Sequence, residues 1–243
     1  MERYNGCMTN LTSDQIRQLN MYSIYVEQPE RHLFTLEMLL NAEKTADILN
    51  VVQTISGSPN RTVAASYFMR RFGMFTAMQL YNLAAYDEVW DGDRKHLHFG
   101  AKVEYGKLSV STFANAENWQ YVVDDERRDV IRRILQDECH AVIRQIRTIT
   151  SVSPLTLWEN IFGFLLWQYH VLLGNPATSL EARADLNLLK DDALWEGIAP
   201  RSLFADYLGG CEPSALLNTK VRTTCCFSKD VPGLMKCGFC PLE

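Results

Sequence analysis

Four thiols crowded into the last nineteen residues constrain this chain more than any other feature. The ending "RTTCCFSKDVPGLMKCGFCPLE" sets Cys225 and Cys226 side by side, then ten residues, then Cys237 and, with two residues between, Cys240. The other three of the seven cysteines, Cys7, Cys139 and Cys211, have no near neighbour. Thiols this close are not inert core residues; they ligate a metal or pair with one another, and either use dictates the path of the tail. The start, "MERYNGCMTNLTSDQ", lacks the basic leader and apolar core of a secretion signal. The longest apolar run, "IFGFLLW" at 161–167, is far shorter than the ~20 residues a bilayer-spanning helix needs. The expectation is a soluble protein of a reducing cytoplasm, free or peripheral at the inner face of the membrane, with its cysteines as thiols or metal ligands.

Upstream of the tail the pattern is helical. Residues 31–56 carry Leu33, Leu36, Leu40, Ile48, Val52 and Ile55 on a roughly helical period, stopped by "SGSPN". Asn60 is placed to cap a second long helix, inside which Gly73 is a weak point unless another element packs closely there. "HLHFGAKVEYGKLSVSTF" alternates polar and apolar residues about "EYGK", which predicts a hairpin over 97–113 in one small antiparallel sheet. Asp124 or Asp125 opens an amphipathic helix whose inner face is Ile131, Ile134, Leu135, Val142, Ile146 and Ile149. Pro154 precedes a very apolar helix to about Leu173, and Thr178 or Ser179 caps at least one more. The fold class expected is mostly α (α+β): a helical domain over 1–210 and an irregular cysteine-rich segment over 211–243.

Charge supports that division. The chain carries −5, yet Lys220, Arg222, Lys229 and Lys236 outnumber Glu212, Asp230 and Glu243 by one in the tail, leaving −6 on the body. A net negative field repels polyanions and argues against nucleic-acid binding. No G-x-G-x-x-G follows a strand, so no nicotinamide or flavin site is expected.

Spacing alone leaves the tail's chemistry open. Structural zinc sites are commonly built from two C-x2-4-C knuckles, and only Cys237 and Cys240 form one here. Adjacent cysteines in an extended chain point to opposite faces, so Cys225 and Cys226 need a bent backbone to grip one small ion. A two-iron unit with several coordination positions is easier for them to reach. Metal binding is expected; its kind is undecided by geometry.

C-C-x10-C-x2-C, with Arg222 at R-x-x-C-C and Pro241 behind it, resembles the C-terminus of the FhuF family of ferric-siderophore reductases. The likeness covers about 222–241. Upstream, "RFG" at 71–73 is similar to the R-x-G segment of a domain that family shares with hydroxamate siderophore synthetases. The resemblance implies that Cys225, Cys226, Cys237 and Cys240 hold a 2Fe–2S cluster, with Arg222, Lys229 and Lys236 as its charged surroundings. It implies an oxidoreductase that releases siderophore iron by one-electron reduction of Fe(III) to Fe(II). Hard oxygen donors bind Fe(II) far less well. Electrons would come from a donor protein or a reduced carrier of the ferredoxin or flavin-reductase type. The chain departs from many relatives at Phe227-Ser228, where they often carry a leucine and, two positions on, a tyrosine. A non-catalytic iron–sulfur or zinc protein, its tail a structural clasp or redox sensor, is the competing expectation. A siderophore-biosynthetic relative would need a phosphate-binding loop this chain lacks.

Other residues have more ordinary readings. His96 and His98 sit at strand spacing and, with Arg71, are the candidates for touching a ferric chelate; solvent-facing hairpin histidines are the simpler account. Arg127, Arg128, Arg132, Arg133, Arg144 and Arg147 read as the solvated face of a helix, partly neutralised by Asp124, Asp125, Glu126, Asp129 and Asp137. Trp90, Trp119, Tyr121, Trp158, Trp167 and Trp195 read mainly as core. Cys139 reads as a buried thiol and Cys211 as a bystander.

Overall fold

The computed structural model describes residues 11–104 and 106–242. Cys7, Glu243 and the central Tyr105 of the expected hairpin turn lie outside the described residues. The chain opens with α1 (Ser13–Met21), started by a reciprocal cap between Thr12 and Gln15, and a two-residue strand β1 (Ile24–Tyr25). The stretch expected to be one helix over 31–56 is instead strand β2 (His32–Thr35), helix α2 (Leu36–Leu40) and helix α3 (Thr45–Ser56). Leu36 and Leu40 keep their helical spacing, but Thr35 is extended and its side chain accepts from Met38 N, so it ends a strand and begins a helix at once. Leu33 and Phe34 alternate into a sheet, a period that the leucines beyond them mask.

Helix α4 (Arg61–Tyr86) starts, as expected, where the Asn60 side chain accepts from Val63 N. It is buried on nearly every side. Gly73 is where α7 (Pro154–Gly174) crosses it: a Cβ there would stand 3.0 Å from Asn160 O and from Ile161 Cα. The glycine that weakens the helix locally lets two backbones meet.

Strand β3 (Glu88–Trp90) follows, then β4 (Leu97–Glu104) and β5 (Lys107–Ala114), the hairpin read from alternation, and β6 (Trp119–Tyr121). β3 and β6 form their own antiparallel pair. The main sheet has four strands in the order β1-β5-β4-β2, and β1 runs parallel to β5, so it is mixed where an antiparallel one was expected. Phe34 and Phe99 on the sheet stack at 5.0 Å, and Phe68 of α4 meets Phe99 edge-on at 5.1 Å, joining sheet to helix.

The amphipathic segment is α5 (Arg127–Arg133), one π-helical stretch (Ile134–His140) and α6 (Ala141–Arg147). Its inner face is as expected, but Arg127 is not solvated. It is buried, donating to Asp185 at 2.8 and 3.0 Å and to Asp87. Some of the arginines here pair with acids from elsewhere in the chain, Arg128 with Asp191 and Arg133 with Asp91, while Arg133 also meets Glu138 of its own segment. After α7 come α8 (Ser179–Lys190), α9 (Leu203–Leu208) and α10 (Pro213–Leu216). Beyond α10 one 3-10 turn at Ser228–Asp230 is the only regular structure among the described residues. Val231 and Phe239 of this irregular tail belong to the same hydrophobic core as the helices. Trp90, Trp119, Trp158 and Trp195 are core residues, while Tyr121 and Trp167 are exposed.

No helix among the described residues is long and apolar enough to cross a membrane.

Candidate metal centre

Two helices of the body hold the tail in place before its first cysteine. Glu159 of α7, fully buried, accepts from Thr223 N and Oγ1 at 2.8 Å each, from Thr224 N at 3.0 Å and from Thr224 Oγ1. Arg222, also buried, lies 3.6 Å from the same carboxylate and donates to Thr156 O and Thr224 O. Its role in the structure is therefore to brace the chain entering Cys225. The next residue along α7, Asn160, donates to Ser66 of α4, and Ser66 Oγ donates to Cys226 O at 2.8 Å. Polar groups this deep survive only when paired, and here each carries a backbone group of the tail or braces one that does.

After Cys226 the chain bends sharply. Phe227 takes a left-handed conformation, φ 57°, which supplies the bend that adjacent cysteines require. Phe227 N–H then points back at Cys225 Sγ, 3.3 Å away. Ser228 donates its backbone N–H to Cys226 sulfur, with Ser228 Oγ 3.1 Å from the same atom. Around Cys237 the pattern recurs, with the Phe239 N–H bonded to its sulfur. Amide donors aimed at sulfur stabilise the thiolate, the form that ligates metal.

Cys226 and Cys237 lie close enough to titrate together, Cys237 pulling the Cys226 thiol down while Cys226 pushes Cys237 up. Ser228 adds to the lowering at Cys226, and so does the Arg70 guanidinium, whose Nη1 is 3.7 Å from Cys226 Sγ and also donates to Ser228 Oγ. Lys229 is exposed and paired to Asp230; its pKa is raised first by that bond and further by Cys225 and Cys240. Lys236 is exposed. Cys226 and Cys240 are buried, Cys225 and Cys237 half-buried. Phe239 lies between Cys237 and Cys240 in sequence and seats its ring on Gly163 of α7, closing the inner side to water.

The structure thus brings Cys226 near Cys237 but does not draw all four sulfurs to one point. Among the described residues no three His, Cys, Asp or Glu side chains are gathered closely enough to hold a single ion. The donor chemistry nevertheless fits a thiolate-held cluster, with three sulfurs receiving backbone N–H groups and two arginines beside them.

Three residues considered for a ferric chelate lie elsewhere. Arg71 is committed to Glu104 and to Val110 O, fastening β4 and β5 to α4. His96 precedes β4 in a 3-10 turn, so it does not share a strand face with His98 as expected. His98 packs edge-on to His32, centroids 5.0 Å apart, and burial lowers its pKa. The hairpin's other end, about 20 Å along the strand at 3.3 Å per residue, carries Lys107, whose Nζ donates to Pro232 O in the tail. Cys139 is buried beside Thr76, and Cys211 is exposed.

Ser66, Arg70, Glu159 and Asn160 build the site and were not singled out in the sequence, and Ser228 was noted only as a departure from the resembling family. One signal was available: Glu159-Asn160 is a polar pair inside the apolar run of α7, and a buried polar pair needs partners. No family model and no curated protein matches this chain.

Proposed function

We propose that the protein is a ferric-siderophore reductase, an oxidoreductase of iron homeostasis acting in the cytoplasm, with a 2Fe–2S cluster held by Cys225, Cys226, Cys237 and Cys240. The observation that carries the reading is the set of donors directed at adjacent sulfurs, the Phe227 N–H at Cys225 and Ser228 Oγ and the Arg70 guanidinium at Cys226, in a tail that spends almost no hydrogen bonds on regular structure. When bound, the cluster supplies a one-electron reductant that converts Fe(III) of a chelate to Fe(II), which hard oxygen ligands release.

The chain's own residues do the rest. Phe227, Ser228 and Phe239 N–H groups favour negative charge on sulfur. Val231 and Phe239 keep water from the inner side, while half-buried Cys225 and Cys237 leave the outer side within reach of a substrate or donor. A depression of about 800 Å³, lined by Pro59, Asn60, Arg61, Thr62, Val63, Phe227 and Asp230, adjoins the tail and has room for a chelate. Electrons enter from an external donor protein or reduced carrier.

Anaerobic loading with iron and sulfide, stoichiometric reduction and removal of the reductant prepare the decisive test. Ferric citrate or a hydroxamate chelate is then added with a ferrous trap. One Fe(II) trapped per cluster oxidised is the expected result; a cluster that stays reduced across a panel of ferric chelates rejects the reading. The nearness of Cys226 and Cys237 favours a second reading, a redox-sensing or structural thiol site. Zinc without sulfide in the isolated protein, or a reversible Cys226–Cys237 disulfide, would select it.

A further inference from the structure

Four of the arginines withdrawn from solvent are balanced by carboxylates: Arg71 by Glu104, Arg127 by Asp185, Arg133 by Glu138 and Arg222 by Glu159. Arg70 is different. It is half-buried, yet among the described residues no carboxylate lies within ion-pair distance. Its hydrogen-bond partners are Cys226 Sγ and Ser228 Oγ.

An uncompensated cation withdrawn from water is costly, and it persists where an anion completes it. Neutral thiols do not. Arg70 is carried on α4, one turn from Ser66, which holds Cys226 O, so its position is set by the body of the protein and not by the tail. Guanidinium keeps its charge at any working pH.

We propose that Arg70 is a positioning and charge-compensating residue for the tail's metal-bound thiolates, a fixed cation that holds Cys226 and favours the site when it carries one more electron. The proposal rests on the cluster reading given above. Reduction takes one electron from an external reductant, dithionite in the test, and leaves the site one charge more negative beside an arginine that neither gains nor loses a proton.

Full-length wild type, R70Q and R70K are compared after anaerobic loading with iron and sulfide. Three quantities are read: the reduction potential against redox dyes, iron and sulfide retained against a chelator, and the thermal midpoint of the metal-free protein. R70Q is expected to shift the one-electron equilibrium about tenfold or more toward the oxidised form, which is 59 mV, and to lose iron faster. R70K, which keeps the charge, should recover most of the potential. Metal-free R70Q should melt no lower than wild type, because it has lost an unbalanced charge and no ion pair. Equal potential and equal retention in loaded wild type and R70Q overturn the proposal while the cluster reading stands. A metal-free R70Q that fails to fold also overturns it, assigning Arg70 to structure alone. Wild type that retains neither iron nor sulfide rejects the cluster reading itself, and the proposal with it.

Discussion

Helix α7 and residues 223–240 pack against each other, yet they are held together in opposite ways. In α7 the backbone satisfies itself over twenty-one residues, and most of the side chains it buries are apolar. The tail's backbone turns outward for partners: Thr223 and Thr224 give their N–H groups to Glu159, Cys226 gives its carbonyl to Ser66, and three N–H groups go to sulfurs. A helix is stable through hydrogen bonds four residues apart and burial of one continuous surface. An irregular segment is only as stable as the few side chains that receive it. The polar residues inside α4 and α7 are therefore the tail's foundation, and the two regions can be uncoupled one contact at a time.

The largest effect expected is on the metal. Serine at Cys225, Cys226, Cys237 or Cys240 should strip most iron and sulfide from the loaded protein, whereas serine at Cys139 or Cys211 should leave the content intact. Elemental analysis reads this directly, and uniform loss across all six variants would dissolve the distinction between tail and body.

Glu159→Ala comes next. It leaves Arg222 buried without a carboxylate and strips the tail of its receiving group, a change of about 3–5 kcal/mol for breaking a buried pair. Urea unfolding should report it together with poor metal retention, while far-ultraviolet circular dichroism stays helical below the transition. Wild-type metal retention in this variant would show that the tail does not depend on α7.

The body has a pH dependence of its own. Glu138 is buried on the π-helical stretch, accepting from Gln79 Nε2 at 2.8 Å and Arg133 Nη1 at 3.1 Å, and burial pushes its carboxyl from the usual 4.5 up to about 7. Between those values the folded protein keeps a proton that the unfolded chain releases, so stability is present at the acid end and falls as pH rises from about 4.5 to about 7. The drop is on the order of 3 kcal/mol. Urea midpoints across that window should flatten in Glu138→Gln; an unchanged slope would place the dependence elsewhere.

Gly73→Ala gives the smallest change and the sharpest sign. Helix propensity favours alanine by about 1 kcal/mol. The methyl would meet the α7 backbone at 3.0 Å, and overpacking of that kind costs about 1–3 kcal/mol. A lowered urea midpoint is expected. A raised one would mean that α4 and α7 separate without penalty.

Some of this was legible because it is local. Asn60 announces the start of α4, alternation announces the β4–β5 hairpin, and the isoleucines of 131–149 lie on the face that is buried. The strand at His32–Thr35 was hidden because its four residues precede a true helical run and a short alternation cannot outweigh a longer period. The parallel partner Ile24–Tyr25 is two residues long and pairs with Thr112 and Phe113, some ninety positions away, which no local pattern records. Arg127 read as solvated because five acids lie close in sequence, and its true partners Asp185 and Asp87 are adjacent only in space.

The sequence by itself determined that the body is helical with one hairpin, and that four thiols share a short tail, because periodicity and spacing act over a few residues. Only the tertiary structure decided that Glu159 braces the tail, that Arg70 faces Cys226 with no carboxylate in ion-pair distance among the described residues, and that Cys226 lies near Cys237. Those relations join residues as far as 156 positions apart. Burial makes them matter, since a polar group removed from water must take whatever partner the fold brings to it.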